Sequence, residues 1–161
     1  HSFPTRRSSD LGVSIISLSK TVLPILETTK ATDVSRGAYV VRAERRKLDG
    51  ILISTGEEVH SAIEVAERLE TKGFDIRVVS MPCIERFLEN DSEYIDEVLP
   101  VGKKKIVIEA ASSISWNRIV FNLKYLITLD QYGASGKRDD VLEKFGFDVD
   151  SLEEKVEELL K

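Results

Sequence analysis

Cysteine is almost missing from this chain: Cys83 is the only one among 161 residues. A lone cysteine excludes an internal disulfide, and no Cys/His spacing of a zinc site is present, so a reducing compartment is expected. Long apolar runs are also absent. None exceeds Ala38-Tyr39-Val40-Val41, against the roughly 20 residues that a membrane helix needs. No secretory signal is legible, which makes the cytoplasm the expected location. An excess of basic charge is lacking too. With 23 Lys and Arg against 28 Asp and Glu, the net charge is -5, which argues against a nucleic-acid partner because duplex binding rests on clustered cations. The densest basic clusters are Arg42, Arg45, Arg46 and Lys47, and then Lys103, Lys104 and Lys105; both read as solvated loops.

What is present is the composition of a soluble globular protein: 42% apolar and 32% charged residues, with both signs along the chain. The length suits one domain with tails. Residues 1–11 share no periodicity with the rest of the chain and read as a probable non-native tail, closer to a translated adapter sequence than to a targeting peptide. A buried strand over 12–19 leads to a Leu23-Pro24 stop, and 25–36 read as a polar linker. The main domain spans 37–161 and opens with a short edge strand at Gly37-Ala38-Tyr39-Val40-Val41.

The most informative stretch is Ile51-Leu52-Ile53-Ser54-Thr55-Gly56-Glu57-Glu58-Val59-His60, an apolar strand that breaks at a Thr-Gly turn into an amphipathic helix. Val59, Ala62, Ile63, Ala66 and Leu69 lie on one face, and Lys72-Gly73 ends the helix before a second strand over 75–81. This βαβ unit demands a parallel sheet covered by helices. Further on, the pattern predicts a connection over 83–90, a helix over 92–99, a buried strand over 105–109, a helix over 114–125 and a short strand over 126–129. A turn over 133–137 and helices over 139–145 and 152–160 come next. The predicted fold is therefore three-layer α/β/α with a mostly parallel sheet of about five strands. Thr55-x-x-Glu58 and Ser151-x-x-Glu154 both match the capping box, so each hydroxyl is expected to cap its helix.

Strand-to-helix junctions at the carboxyl ends of parallel strands favour anions. Ser54, Thr55 and Gly56 form such a junction, which offers either a small-anion site or, the favoured reading, a structural cap. Gly133-Ala134-Ser135-Gly136-Lys137 imitates a phosphate loop, but Gln131 and Arg138 occupy the positions where that motif needs Gly and Ser/Thr. His60 reads as a surface residue and Cys83 as a small core residue with no histidine to activate it. Glu109 is either a functional carboxylate at the sheet's carboxyl edge or, the preferred reading, one paired with a cation or capping a loop. Trp116, Phe121 and Tyr125 read as core packing on one helix, with an outward-facing aromatic there marking a partner-domain surface. No constellation of nucleophile, base and oxyanion donors assembles, so catalytic and metal-binding residues are expected to be none.

Six blocks in order carry a resemblance: Arg36-Gly37-Ala38-Tyr39-Val40, Ile53-Ser54-Thr55-Gly56-Glu57-Glu58-Val59, Arg77-Val78-Val79-Ser80-Met81-Pro82, Val98-Leu99-Pro100, Gly133-Ala134-Ser135-Gly136-Lys137 and Phe145-Gly146-Phe147. Together they resemble the carboxyl-terminal domain of transketolases. Upstream, Ser17-Leu18-Ser19-Lys20-Thr21-Val22-Leu23-Pro24 is similar to the end of that family's pyrimidine-binding domain, which assigns 12–24 to it. The resemblance implies that Lys20 stands where the family's arginine contacts substrate phosphate. Lysine keeps the charge and loses the bidentate fork, and Thr21 replaces a glutamine. It further implies a homodimeric enzyme that moves a two-carbon ketol unit between sugar phosphates in the pentose phosphate pathway, using thiamine diphosphate and a divalent metal, Mg or Ca. The family's cofactor-binding residues fall before Gly12, so this chain is expected to hold no cofactor and to play a structural, dimer-supporting part beside the preceding domains. Related alternatives are the terminal domains of deoxyxylulose-phosphate synthase and of the 2-oxo acid dehydrogenase beta subunit. The alternative of another class is a freestanding small-anion-binding module.

Overall fold

The computed structural model describes residues 31–129 and 143–161. The predicted tail, the end of the pyrimidine-binding domain with Lys20, the first part of the linker and the Gly133 to Lys137 turn lie outside the described residues, as does most of the 139–145 helix. Within the remainder of the predicted linker, Ala31–Val34 form one helical turn, α1. This end is tied down: the Arg36 guanidinium lies 4.1 Å from the centre of the Tyr94 ring, and Asn90 donates to the Arg36 carbonyl.

Five strands form one sheet: β1 (Tyr39–Arg42), β2 (Gly50–Ser54), β3 (Ile76–Ser80), β4 (Lys104–Glu109) and β5 (Leu126–Thr128), in spatial order β1-β3-β2-β4-β5. The last four run parallel, and β1 lies antiparallel on β3 at the edge, with an irregularity between Val40 and Arg42. The apolar runs explain the arrangement. Every residue of β2 is buried, as a central parallel strand covered on both faces requires.

One face of the sheet carries α2 (Glu58–Thr71) and the terminal helix α5 (Val149–Leu160). Their Val59, Ala62, Val65, Ala66, Leu69, Leu152 and Val156 pack on Leu52, Ile76, Val78, Ile106 and Ile108. The other face is covered by α3 (Ile84–Leu88), α4 (Ser92–Val98) and the segment around Trp116, which pack on Ile51, Ile53, Val79 and Val107. Alternating residues of each strand thus feed two separate cores, and the three-layer architecture results.

The structure corrects several expectations. The 83–90 connection contains α3. The predicted helix over 114–125 is two 3₁₀ turns, Ser113–Arg118 and Leu123–Tyr125. They are started by Ser112 and Asn122, whose side-chain oxygens accept backbone N–H groups of Ile114 and Lys124. Such local side-chain bonds compete with a continuous helix. Neither predicted capping box forms. Helix α2 begins at Glu58, with Glu57 as its cap residue and no side-chain cap bond. Helix α5 begins a turn earlier than expected, and Asp148 rather than Ser151 caps it, accepting from the Ser151 N–H at 2.9 Å.

The basic clusters are less solvated than their sequence implies. Arg42 donates to the Ile76 carbonyl and pairs with Glu70 on α2. Lys103, Lys104 and Lys105 place their ammonium groups on the carbonyls of Leu48, Leu160 and Pro100 at 2.9, 2.7 and 2.9 Å. Long aliphatic stems let these side chains lie over apolar surface while their heads find acceptors.

Candidate functional site

All four parallel strands point their carboxyl ends to the same rim, where open α/β sheets place their ligands. There a cleft of about 310 Å³ is lined by Thr55, Cys83, Glu85, Glu109, Ser115 and Trp116, among others. Each wall has a simple origin. Thr55 comes directly after the last residue of β2, Glu109 ends β4, Cys83 and Glu85 flank the start of α3, and Ser115 and Trp116 belong to the first 3₁₀ turn.

Glu109 is the unusual member. It is only 9% exposed, and its Oε2 accepts no hydrogen bond. Burial, and secondarily the negative charge of Glu58, push its carboxyl up to about 7. The preferred expectation, a carboxylate paired with a cation or capping a loop, is not met at this oxygen: among the described residues neither a basic side chain nor a backbone N–H donates to it. Arg118 stands 3.3 Å from Glu85 instead. Charged side chains almost never lie buried without partners, so this group is energetically conspicuous.

Ser54 and Thr55 have different surroundings. Ser54 lies level with Ile108 on β4, and strand alternation puts both on the α2 face, whereas Glu109 lies on the opposite one. The Ser54 hydroxyl is fully buried and unpartnered. Thr55 lines the cleft, and Gly56 makes the turn at φ 59°, a conformation that glycine adopts without steric cost. Glu58 lies close enough to Glu109 for its charge to help raise that carboxyl.

Cys83, expected in the core, is exposed. Its thiol points to the Glu85 carboxylate at 3.9 Å. The surrounding elements explain this exposure: Pro82 turns the chain out of β3, and Ile84 and Phe87 occupy the core positions of α3. His60 is half-buried in the first turn of α2. Trp116 is buried against the second core, whereas Phe121 is 88% exposed, Leu123 67% and Ile114 77%. The outward aromatic that sequence reasoning reserved for a partner surface is therefore present, on an irregular segment instead of a helix.

Helices on both faces of a mostly parallel five-stranded sheet, with a cleft at its carboxyl rim, define an open α/β domain of the helix-covered kind. Residues 37–148 match the family described as "Transketolase-like TK C-terminal domain", and the chain belongs to that family. It is 39% identical over 140 residues to the transketolase of Streptococcus pyogenes, covering 84% of this chain and 19% of that protein. The transketolase of Halalkalibacterium halodurans is 37% identical over 158 residues, covering 96% and 24%. Among solved structures, a Pichia stipitis transketolase variant in complex with fructose 6-phosphate superimposes with a TM-score of 0.78 at 30% identity, covering 88% of this chain and 20% of that one. The Campylobacter jejuni transketolase gives 0.68 at 36% identity, covering 77% and 19%. The chain thus spans about a fifth of the length of these relatives.

A diphosphate cofactor asks for cations and backbone amides, and a divalent metal for clustered ligands. The cleft offers carboxylates to the first. Among the described residues no group of three or more His, Cys, Asp or Glu side chains is placed to hold the second. The described residues of this cleft do not fit thiamine diphosphate and its metal. No helix among the described residues is long and apolar enough to cross a membrane.

Proposed function

We propose that this chain serves as the carboxyl-terminal, architectural domain of a homodimeric transketolase, an enzyme that transfers a two-carbon ketol unit between sugar phosphates of the pentose phosphate pathway. Thiamine diphosphate and a divalent metal would be held by other domains of that enzyme. The observation that carries this reading is the exposed apolar trio Ile114, Phe121 and Leu123 on one short segment. Large exposed apolar side chains grouped in this way mark a surface that another body covers. The occupant in this reading is the rest of the enzyme: the pyrimidine-binding domain and the second subunit. Lys20 retains the charge for a substrate phosphate contact in that context, and the lone exposed thiol suits the cytoplasm.

A chimera tests it. Residues 37–161 replace the matching region of the Halalkalibacterium halodurans transketolase, and dimer mass and ketol transfer are measured. The chimera is expected to assemble as a dimer and to turn over sugar phosphates, while the 161-residue chain alone does neither. A monomeric, inactive chimera whose grafted domain is folded would overturn the reading, as would ketol transfer by the isolated chain.

A further inference from the structure

Glu109 is a carboxylate nine-tenths buried, with an unpartnered oxygen, at the wall of an open cleft. A buried acid at a dead end in the core would be replaced by an apolar residue at no loss, since an uncompensated buried charge is costly. At a cleft wall the missing partner can arrive from solution. The other polar walls name its character. Thr55, Ser112 and Ser115 contribute hydroxyls and Glu85 a second carboxylate at the mouth, with Glu58 adding negative potential to Glu109. Arg118 is engaged by Glu85, so among the described residues no cation competes for Glu109. Trp116, Met81 and Pro82 make the remaining wall apolar.

We propose that the cleft binds a small organic cation with paired N–H donors on a flat apolar body, an amidinium or a primary ammonium, held by the Glu109 carboxylate. One N–H of the cation meets the Glu109 carboxylate in a charge-assisted hydrogen bond, stronger than its neutral counterpart. Its body lies along the apolar wall beside Trp116, and the hydroxyls take the remaining donors. The proposal does not rest on the chain working within a transketolase.

The chain's single tryptophan lines this cleft, so binding can be read at one place. Benzamidine is titrated into the 161-residue chain by calorimetry, with the Trp116 indole N–H followed by NMR. Benzamide, its neutral isostere, and benzoate, its anionic counterpart, serve as controls. Benzamidine is expected to bind saturably and to shift the indole signal, with both controls at least about tenfold weaker. Glu109→Gln keeps the side-chain shape and removes the charge, and is expected to weaken benzamidine at least about tenfold. Glu85→Gln at the mouth, where folding is not at stake, is expected to weaken it about two- to threefold. Equal affinity for benzamide, an unmoved Trp116 signal at saturation, or a Glu109→Gln protein that binds as the parent does would each overturn the proposal.

Discussion

Residue by residue, Glu109 has the largest consequence for stability. Its carboxyl titrates near 7 in the folded chain against an ordinary 4.5, so the folded state holds its proton where the unfolded state has lost it. The native state then binds the extra proton between those values, and stability falls as pH rises through that window. Above pH 7 the full cost is present, on the order of 3 kcal/mol. Glu109→Gln removes it. Denaturant unfolding is expected to show the variant more stable than the parent at pH 8 and level with it near pH 4; equal stability at both would show that the carboxylate is compensated. Gly37 is the second residue with outsized leverage. Its φ is +87°, and a Cβ there would come within 2.5 Å of the Cys83 carbonyl oxygen and the Phe87 nitrogen, both rigid backbone. Gly37→Ala is expected to destabilise the chain by about 2 kcal/mol or more, measured as a shift in the unfolding midpoint.

Among the elements, α5 shows which forces matter. It is docked on α2 by Leu152 and Val156, both buried, and rimmed by ion pairs of Arg68 with Asp150 and Glu153 and of Lys72 with Glu153 and Glu157. Lys161 and Lys72 hold the Glu157 carboxyl down to about 2. These rim pairs are solvated and screened by salt, so the apolar seam dominates. Leu152→Ala is expected to cost about 2–5 kcal/mol by cavity formation. Asp148→Ala should cost about 1 kcal/mol through the lost cap, with Lys72→Ala a minor effect beside either. A larger loss from Lys72→Ala than from Leu152→Ala in thermal unfolding would reverse this order. The Asp148 carboxyl is held below its usual range by the Ser151 hydrogen bonds. Its contribution is complete at neutral pH and fades as acid protonates it. The helices themselves were legible because α2 repeats its apolar residues at helical spacing. Their starts were not. Thr55-x-x-Glu58 satisfies a local pattern, yet Gly56 and Glu57 form a turn between the strand and α2, which moves the helix start past the hydroxyl. Residues 113–125 carry helical spacing too, but Ser112 and Asn122 capture nearby amides and break the segment into tight turns.

For the molecule as a whole, the five-stranded, mostly parallel sheet could be read in advance because one βαβ unit leaves few ways to cover a parallel sheet. The candidate site was legible only in part. The carboxyl edge and Glu109 were both recognisable, but its solitude depends on where distant cations fall, and Arg118 turns to Glu85 instead. Cys83 was misplaced for a related reason: a small side chain after a strand end has no periodicity to say which way it faces. The exposed trio carries the prediction at this scale. Phe121→Ser with Leu123→Ser is expected to leave unfolding of the isolated chain within about 0.5 kcal/mol of the parent, while lowering dimer mass in the chimera. An unchanged dimer would show that this ridge faces water in the assembled enzyme too. Strand β1 has a directional consequence. It alone runs against its neighbours, with Tyr39 beside Ser80, so the backbone enters the sheet at the rim where the other four strands finish. The chain therefore joins the sheet on the rim at which β4 ends in Glu109.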